Sequence, residues 1–477
     1  MKFKKITACL IMAAMLTGLV AGCGTSGDAG SEAVTGGNSE DASEPAETEK
    51  SDDSSDGGQV ELDFLYWADG VQKDLVEAAC AAYEEETGVK INAEALPADE
   101  SFETYIQTRK ESGNLPDVSY MNEADMMKYN EMGILADIDD LIESGKIPEK
   151  LDAVTIKSPE GKTLGVGLSN QFMVLYYNKD MFDEAGIEYP PSNVEDAWDW
   201  DHFVEVAQQL TVDVDGNTAA DPDFDPDRIQ TYGVGFNSMC AFHQFWALYA
   251  NGGGVVSADG TEFLWDKQES VDGLQNLVDL VYKYHVASPA LYTFNSSIGS
   301  VDATIGSGGY AMFTNGSWDL ANLGAIEGIN VGVAVLPKME SAITMNCGAP
   351  LAIYNTSDHL EEAKDFYAYM VDPAQNMELL KSGAWLPNQA DYYTDQELFD
   401  EWTSDLPEDA KEVIQSYSTT EGAIAQWPAY YVPAYNKMNT EYTKYIDQAL
   451  GGEKSVQEVY DECMPAIKEM FETGTVE

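Results

Sequence analysis

Residues 60–96 read VELDFLYWADGVQKDLVEAACAAYEEETGVKINAEAL. Val60-Glu61-Leu62-Asp63-Phe64 alternates apolar and polar side chains, the period of a strand with one buried face. From Lys73 to Glu86 the apolar residues fall at Leu75, Val76, Ala79, Ala82 and Tyr83. That is helical spacing, and Gly88 stops the helix. Val89, Ile91, Ala93 and Ala95 then alternate again. Strand, helix and strand at these lengths imply a parallel sheet, because parallel neighbours need a crossover connection. Cys80 lies on the apolar side of the helix, as a small core residue.

Further along, the same rhythm predicts a helix over 103–111, a strand over 117–121 and a helix over 125–132. Pro159-Glu160-Gly161-Lys162 is a turn between two extended pieces. A dense apolar strand covers 172–177, and helices follow over 179–185, 199–210, 242–249, 271–285, 360–370 and 374–380, with a helical set after Tyr435. No repeat of 20 to 50 residues is visible. The chain from 59 to 477 is too long for one core, so two lobes are expected.

Upstream of residue 59 the composition changes character. Lys2, Lys4 and Lys5 precede an apolar stretch from Ile6 to Val20, and Val20-Ala21-Gly22-Cys23 follows. A basic start, a short greasy core and small residues before a cysteine form a signal peptide with a lipobox. The apolar stretch falls short of the ~20 residues of a spanning helix. Residues 1–22 are therefore expected to be removed, leaving Cys23 lipidated on the outer face of the cell membrane. Residues 24–58 are almost all Gly, Ser, Thr, Asp, Glu and Ala, with Val34 the only large aliphatic residue. Such a segment cannot bury enough apolar surface to offset its ordering entropy, and it reads as an acidic tether.

The chain holds 25 basic and 84 acidic residues. A field of that sign repels nucleic acid and anionic head groups. Attachment through lipid alone is expected, with a monomer as the working unit. Cys80, Cys240, Cys347 and Cys463 are widely spaced, without C-x-x-C, and select neither a zinc site nor a disulfide pair. No G-x-S-x-G or H-E-x-x-H occurs, and His202, His243, His285 and His359 lack metal spacing. Gly161-Lys162-Thr163 looks like the end of a P-loop, but residue 156 is Ile where that motif needs Gly. A lipoprotein glycosidase, with two carboxylates at a set separation, is the enzymatic alternative that so acidic a chain leaves open.

Four stretches then point to a family. AACAAYEEETGV (78–89) resembles the end of a first helix in the family 1 extracellular solute-binding proteins, the maltose-binding-protein-like receptors of ABC sugar importers. Leu175-Tyr176-Tyr177-Asn178-Lys179-Asp180-Met181-Phe182 is similar to the family's L-x-Y-N-K-D-L-F. Gly309-Tyr310-Ala311-Met312 through Asn315-Gly316-Ser317-Trp318 resembles G-x-A-A-M…G-x-W, and Gly383-Ala384-Trp385-Leu386-Pro387 resembles a G-x-L-P turn. The resemblance implies an α/β fold of the two-lobe periplasmic-binding-protein type, with hinge crossovers and a ligand cleft between lobes. By analogy the N-terminal lobe is 59–172 plus 345–395, and the C-terminal lobe 173–344 plus 396–477. It also implies a non-enzymatic receptor that hands a carbohydrate, here expected to be an oligosaccharide, to ABC permease subunits. A glycerophosphodiester or other non-sugar solute is the alternative ligand.

A sugar site needs aromatic plates for C–H faces and a few polar groups for hydroxyls. By resemblance Trp318 and Tyr435 match stacking aromatics, and Asn122, Glu123 and Gln171 match polar contacts. Trp67 and Asp69 follow the first strand, where ligand contacts collect in open α/β sheets. Phe242, Phe245 and Trp246 share a helix with one core face, so one of them is expected to reach ligand. Trp385 and Trp427 complete the candidates, and both lie where the chain departs from the family's pattern. Trp198 and Trp200 read as packing around a helix start. Asp213, Asp215, Asn217 and Asp221 place oxygens at alternate positions, as a structural Ca²⁺ would require, or as an acidic turn would. The EF-hand template fails there, since Gly216 is the fourth residue of the loop and Phe224 the twelfth. No other cofactor is expected.

Overall fold

The computed structural model describes residues 59–474, apart from 69, 98–100, 159, 237–241 and 290–299. The expected signal, Cys23 and tether, together with Asp69 and Cys240, lie outside the described residues. In chain order the strands are β1 Glu61–Tyr66, β2 Lys90–Ala95, β3 Val118–Tyr120, β4 Thr155–Lys157, β5 Thr163–Val166 and β6 Gln171–Asn178. There follow β7 Val212–Asp213, β8 Ile229–Phe236, β9 Tyr310–Gly316, β10 Val331–Ala334, β11 Thr344–Cys347, β12 Leu351–Ile353 and β13 Ile424–Gln426.

Two main sheets form, and a hairpin of β4 and β5 stands apart. The first has the order β12-β3-β1-β2. Its β1 and β2 run parallel, Glu61 opposite Lys90 and Tyr66 opposite Ala95, joined by the helix Gly70–Thr87. That helix buries Val76, Cys80 and Tyr83, one stripe at spacings of four and three. The parallel pairing that residues 60–96 predicted is therefore present. A smaller hydrophobic cluster lies against Leu65 and includes Phe102, Ile106, Met126, Met127 and Tyr129.

The second sheet has the order β13-β11-β6-β9-β8-β7, with β10 alongside the end of β6. All eight residues of β6 are buried, as suits a central strand covered on both faces. The helix Phe242–Ala250 buries all its residues but Tyr249, the polar His243 and Gln244 included, so it is a core helix buried all round.

Two crossings into and out of the second sheet run side by side. The chain leaves β5 for β6 through 167–170 and returns from β11 to β12 through 348–350. Gly167 bridges Pro350, and Ser169 N–H donates to Gly348 C=O at 3.2 Å. Since β11 pairs with β6 and β13, the return falls just past the expected boundary at 345. The tail also crosses back, because Tyr430 packs into the smaller cluster beside Leu65.

Candidate functional site

The 3₁₀ helix Ser317–Ala325 follows β9 directly and carries Trp318 in its first turn. The Trp318 ring lies over Gly316, where an added Cβ would sit 2.0 Å from a ring carbon. Glycine is needed there for close approach rather than for its backbone angle. The ring meets His243 edge-on at 5.9 Å, and His243 meets Phe242 at 5.3 Å. Phe242 lies 4.8 Å from Trp427, and Trp427 lies 5.7 Å from Tyr435. Trp427 Nε1 donates to Tyr435 Oη at 2.8 Å, which fixes the indole plane. This row of five rings comes from four separate segments. Phe242, His243 and Tyr435 are buried within it, while Trp318 and Trp427 are half-buried and present its accessible aromatic surface.

The first sheet contributes a third indole. Trp67, just after β1, is half-buried and packs edge-on to Phe102 at 5.5 Å and Tyr120 at 5.2 Å. Trp67, Trp427 and Tyr431 all pack against the smaller cluster, so aromatics from both sheets gather at its margin. Asn122 stands at the N-terminal boundary of the helix Glu123–Glu131 without a side-chain capping bond and is half-buried, and its Nδ2 donates to Asp125 Oδ2 at 3.3 Å. Indole faces beside amide and carboxylate groups are the chemistry a polyhydroxylated ring calls for.

Other expected contacts are placed differently. Glu123 is 5% exposed, and its Oε1 accepts from Gly348 N–H at 2.9 Å, Ala349 N–H at 3.1 Å and Tyr430 Oη at 3.0 Å. Burial raises its carboxyl pKa, and these hydrogen bonds oppose the rise. Its visible work is to fasten the crossing at 348–350. Gln171 is buried and its Nε2 donates to Ala384 C=O, tying β6 to the turn at 383–387. Trp385 is buried in that turn. Phe245 is buried between Trp265 at 5.2 Å and Tyr442 at 6.1 Å, and Trp246 is buried beside Phe236 at 6.5 Å. The physical reason is the all-round burial of their helix. Of its three candidate rings, Phe242 is the one in the aromatic row.

In the acidic loop Asp213 is buried and turns its oxygens inward. Asp213 Oδ1 accepts from Asp215 N–H at 2.8 Å and Asn217 N–H at 2.9 Å, and Oδ2 from Asn217 Nδ2 and Asp225 N–H at 3.0 Å each. Burial works to raise its pKa, but these donors outweigh it and hold the carboxyl at about 2. Asp215 pairs with Arg228 at 2.9 Å, and Asp221 Oδ2 accepts from Thr218 N–H at 2.8 Å. Among the described residues no group of three His, Cys, Asp or Glu is arranged to hold a metal.

Comparison with known proteins agrees with this architecture. An ABC substrate-binding protein from Listeria monocytogenes, solved in complex with cycloalternan, superposes with a TM-score of 0.71 at 20% identity. The match covers 87% of this chain and 100% of that one. The two-lobe α/β fold is thus that of the MalE-like binding proteins. An arabinooligosaccharide-binding protein of Halalkalibacterium halodurans is 25% identical over 65% of this chain and 67% of its own length. A maltooligosaccharide ABC transporter solute-binding lipoprotein of Streptococcus pneumoniae is 22% identical over 98% of this chain and 97% of its own length. The family model for bacterial extracellular solute-binding proteins matches residues 78–411, and the chain belongs to that family.

Proposed function

We propose that this protein is the oligosaccharide receptor of an ABC importer. The observation that carries the reading is the aromatic row, with Trp318 and Trp427 accessible at its surface and Trp67 nearby on the other sheet. Several indole faces suit a ligand of several sugar rings better than a monosaccharide. The arabinooligosaccharide and maltooligosaccharide binders among the relatives support the same ligand class. Capture is non-enzymatic. The protein works as a monomer, closes its two lobes about the paired crossings and delivers the sugar to a membrane permease. Within this reading the lobes are 59–172 with 345–395, and 173–344 with 396–477, adjusted at the crossing. Asn122 and Asp69 supply polar contacts. Among the described residues no helix is long and apolar enough to cross a membrane. Attachment to the outer face is through lipid on Cys23. Any Ca²⁺ at the Asp213 loop would be structural and remote from the ligand.

A thermal-shift screen against oligosaccharides, followed by chromatography of the recovered sugar, tests this. Ligand at 100 times its Kd adds about 2.7 kcal/mol to stability. A raised melting temperature with intact sugar recovered is expected. Cleaved sugar, or no shift with any oligosaccharide, would refute it.

A further inference from the structure

The helix Glu123–Glu131 is tied to the C-terminal segment at two points. Glu123 meets Tyr430 beside the crossing itself, as described above. The second point is Asp125, whose Oδ1 accepts from Asn436 Nδ2 at 2.9 Å. Asp125 is 5% exposed, and its other oxygen accepts from Asn122 Nδ2 at 3.3 Å. A carboxylate withdrawn this far from water is costly unless its partners stay in place.

The two ends of this bond lie on helices packed at different sheets. Asp125 is flanked by Met126 and Met127, which pack with Leu65 and Phe102 in the smaller cluster. Asn436 lies in the first turn of the helix Tyr435–Thr443. That helix buries Tyr435, Met438 and Tyr442 in the larger cluster, with Tyr442 4.7 Å from Trp265. The helix Glu123–Glu131 directly follows β3 of the first sheet. Tyr442, in contrast, packs on Phe245 of the helix Phe242–Ala250, which lies against β8 through Trp246 and Phe236. The bond therefore joins an element of the first sheet to one packed at the second, and it must part when the two separate. Asn122, a candidate ligand contact, shares the same carboxylate.

We infer that Asp125 and Asn436 form a latch across the cleft, a positioning pair that holds the lobes together around bound ligand without touching it. The inference rests on the receptor reading above for the ligand, but not for the latch. Hinge closure around a captured solute leaves the closed state dependent on contacts between lobes away from the hinge. Asn122 links the two, since a ligand drawing on its amide reorients a partner of the latch carboxylate.

The test uses the full-length protein with Asp125→Ala, Asn436→Ala, the double variant and Asp125→Asn, which keeps an acceptor oxygen. Small-angle scattering without ligand reads the lobe separation. Stopped-flow kinetics with the tightest oligosaccharide reads capture. Both alanine variants should raise the ligand-free radius of gyration and speed dissociation about tenfold, the scale of one hydrogen bond to a charged group. Association should change far less, as contacts formed after encounter act mainly on dissociation. The double variant should match the singles, and Asp125→Asn should restore most of the effect. An unchanged radius of gyration in both alanine variants, or additive kinetic losses in the double, would overturn the latch. Scattering needs no sugar, so a wild type that binds none would sink the receptor reading while the latch is still judged.

Discussion

At the scale of single residues, the proposed site turns on which aromatic side chains are left accessible. Trp318 and Trp427 keep part of their surface exposed, whereas Phe245, Trp246 and Trp385 are core. Trp318→Ala should weaken oligosaccharide binding roughly tenfold and leave the fold intact. Gly316→Ala should weaken it too, because its methyl group would occupy the place of the Trp318 ring. Calorimetry on both variants checks this, and equal affinity in the two variants and the wild type would remove Trp318 from the site. Trp318 was marked as a candidate because its G-x-W phrase is a local pattern. Phe242 was only one of three candidate rings, and His243 was not legible at all. Their place in the row depends on a helix buried on every face, polar His243 and Gln244 included, so periodicity points nowhere. The Asp125–Asn436 contact joins residues 311 apart and leaves no local trace.

The Asp213 loop is a residue-scale case with a defined pH response. Its carboxyl pKa is about 2 in the folded chain against an ordinary 3.8. A depressed pKa gives stability that is fully present above 3.8 and lost as pH falls towards 2. Asp213→Ala should lower the melting temperature at neutral pH, and the gap from wild type should narrow as the pH is taken below 3.8. Melting curves across that range decide it. A constant gap would mean the four hydrogen bonds carry no net charge preference.

At the scale of elements, one buried carboxylate accepts from two backbone amides of the crossing at 348–350. Removing it by Glu123→Ala leaves Gly348 N–H, Ala349 N–H and Tyr430 Oη without their acceptor, at a cost of about 3 kcal/mol or more. Glu123 is raised above 4.5 in the fold, so its contribution is present below 4.5 and is lost as pH rises through the folded value. Glu123→Gln keeps an acceptor without the charge. Its stability relative to wild type should therefore improve with rising pH, as denaturant titrations at several pH values would show. Most elements were legible where pattern is strong, and the helices Lys179–Ala185 and Leu360–Met370 have the expected bounds. The strand β8 was not, because Gly233 and Gly235 interrupt its pattern. Gly233 is there because helix Trp200–Leu210 packs so closely that an added Cβ would lie 2.0 Å from Ala207 C=O. Tertiary packing has overridden local propensity at that position.

At the scale of the whole molecule, residues 60–96 were enough to predict a parallel α/β sheet, and chain length was enough to predict more than one core. The pairing of the two crossings, the mixed order of the second sheet and the return of Tyr430 to the first were not visible. They join segments hundreds of residues apart, and no local period encodes such partners. The acidic excess does not define the ligand either, since at the loop and at Glu123 the carboxylates serve the fold. In the proposed reading the ligand is selected by the half-buried indoles drawn from both sheets. The most direct measurement is titration calorimetry of the purified protein against maltooligosaccharides and arabinooligosaccharides of increasing length. Saturable binding that tightens from one ring to several and weakens when Trp318 is replaced is the expected result. Binding confined to a non-sugar solute, or no dependence on the number of rings, would contradict it.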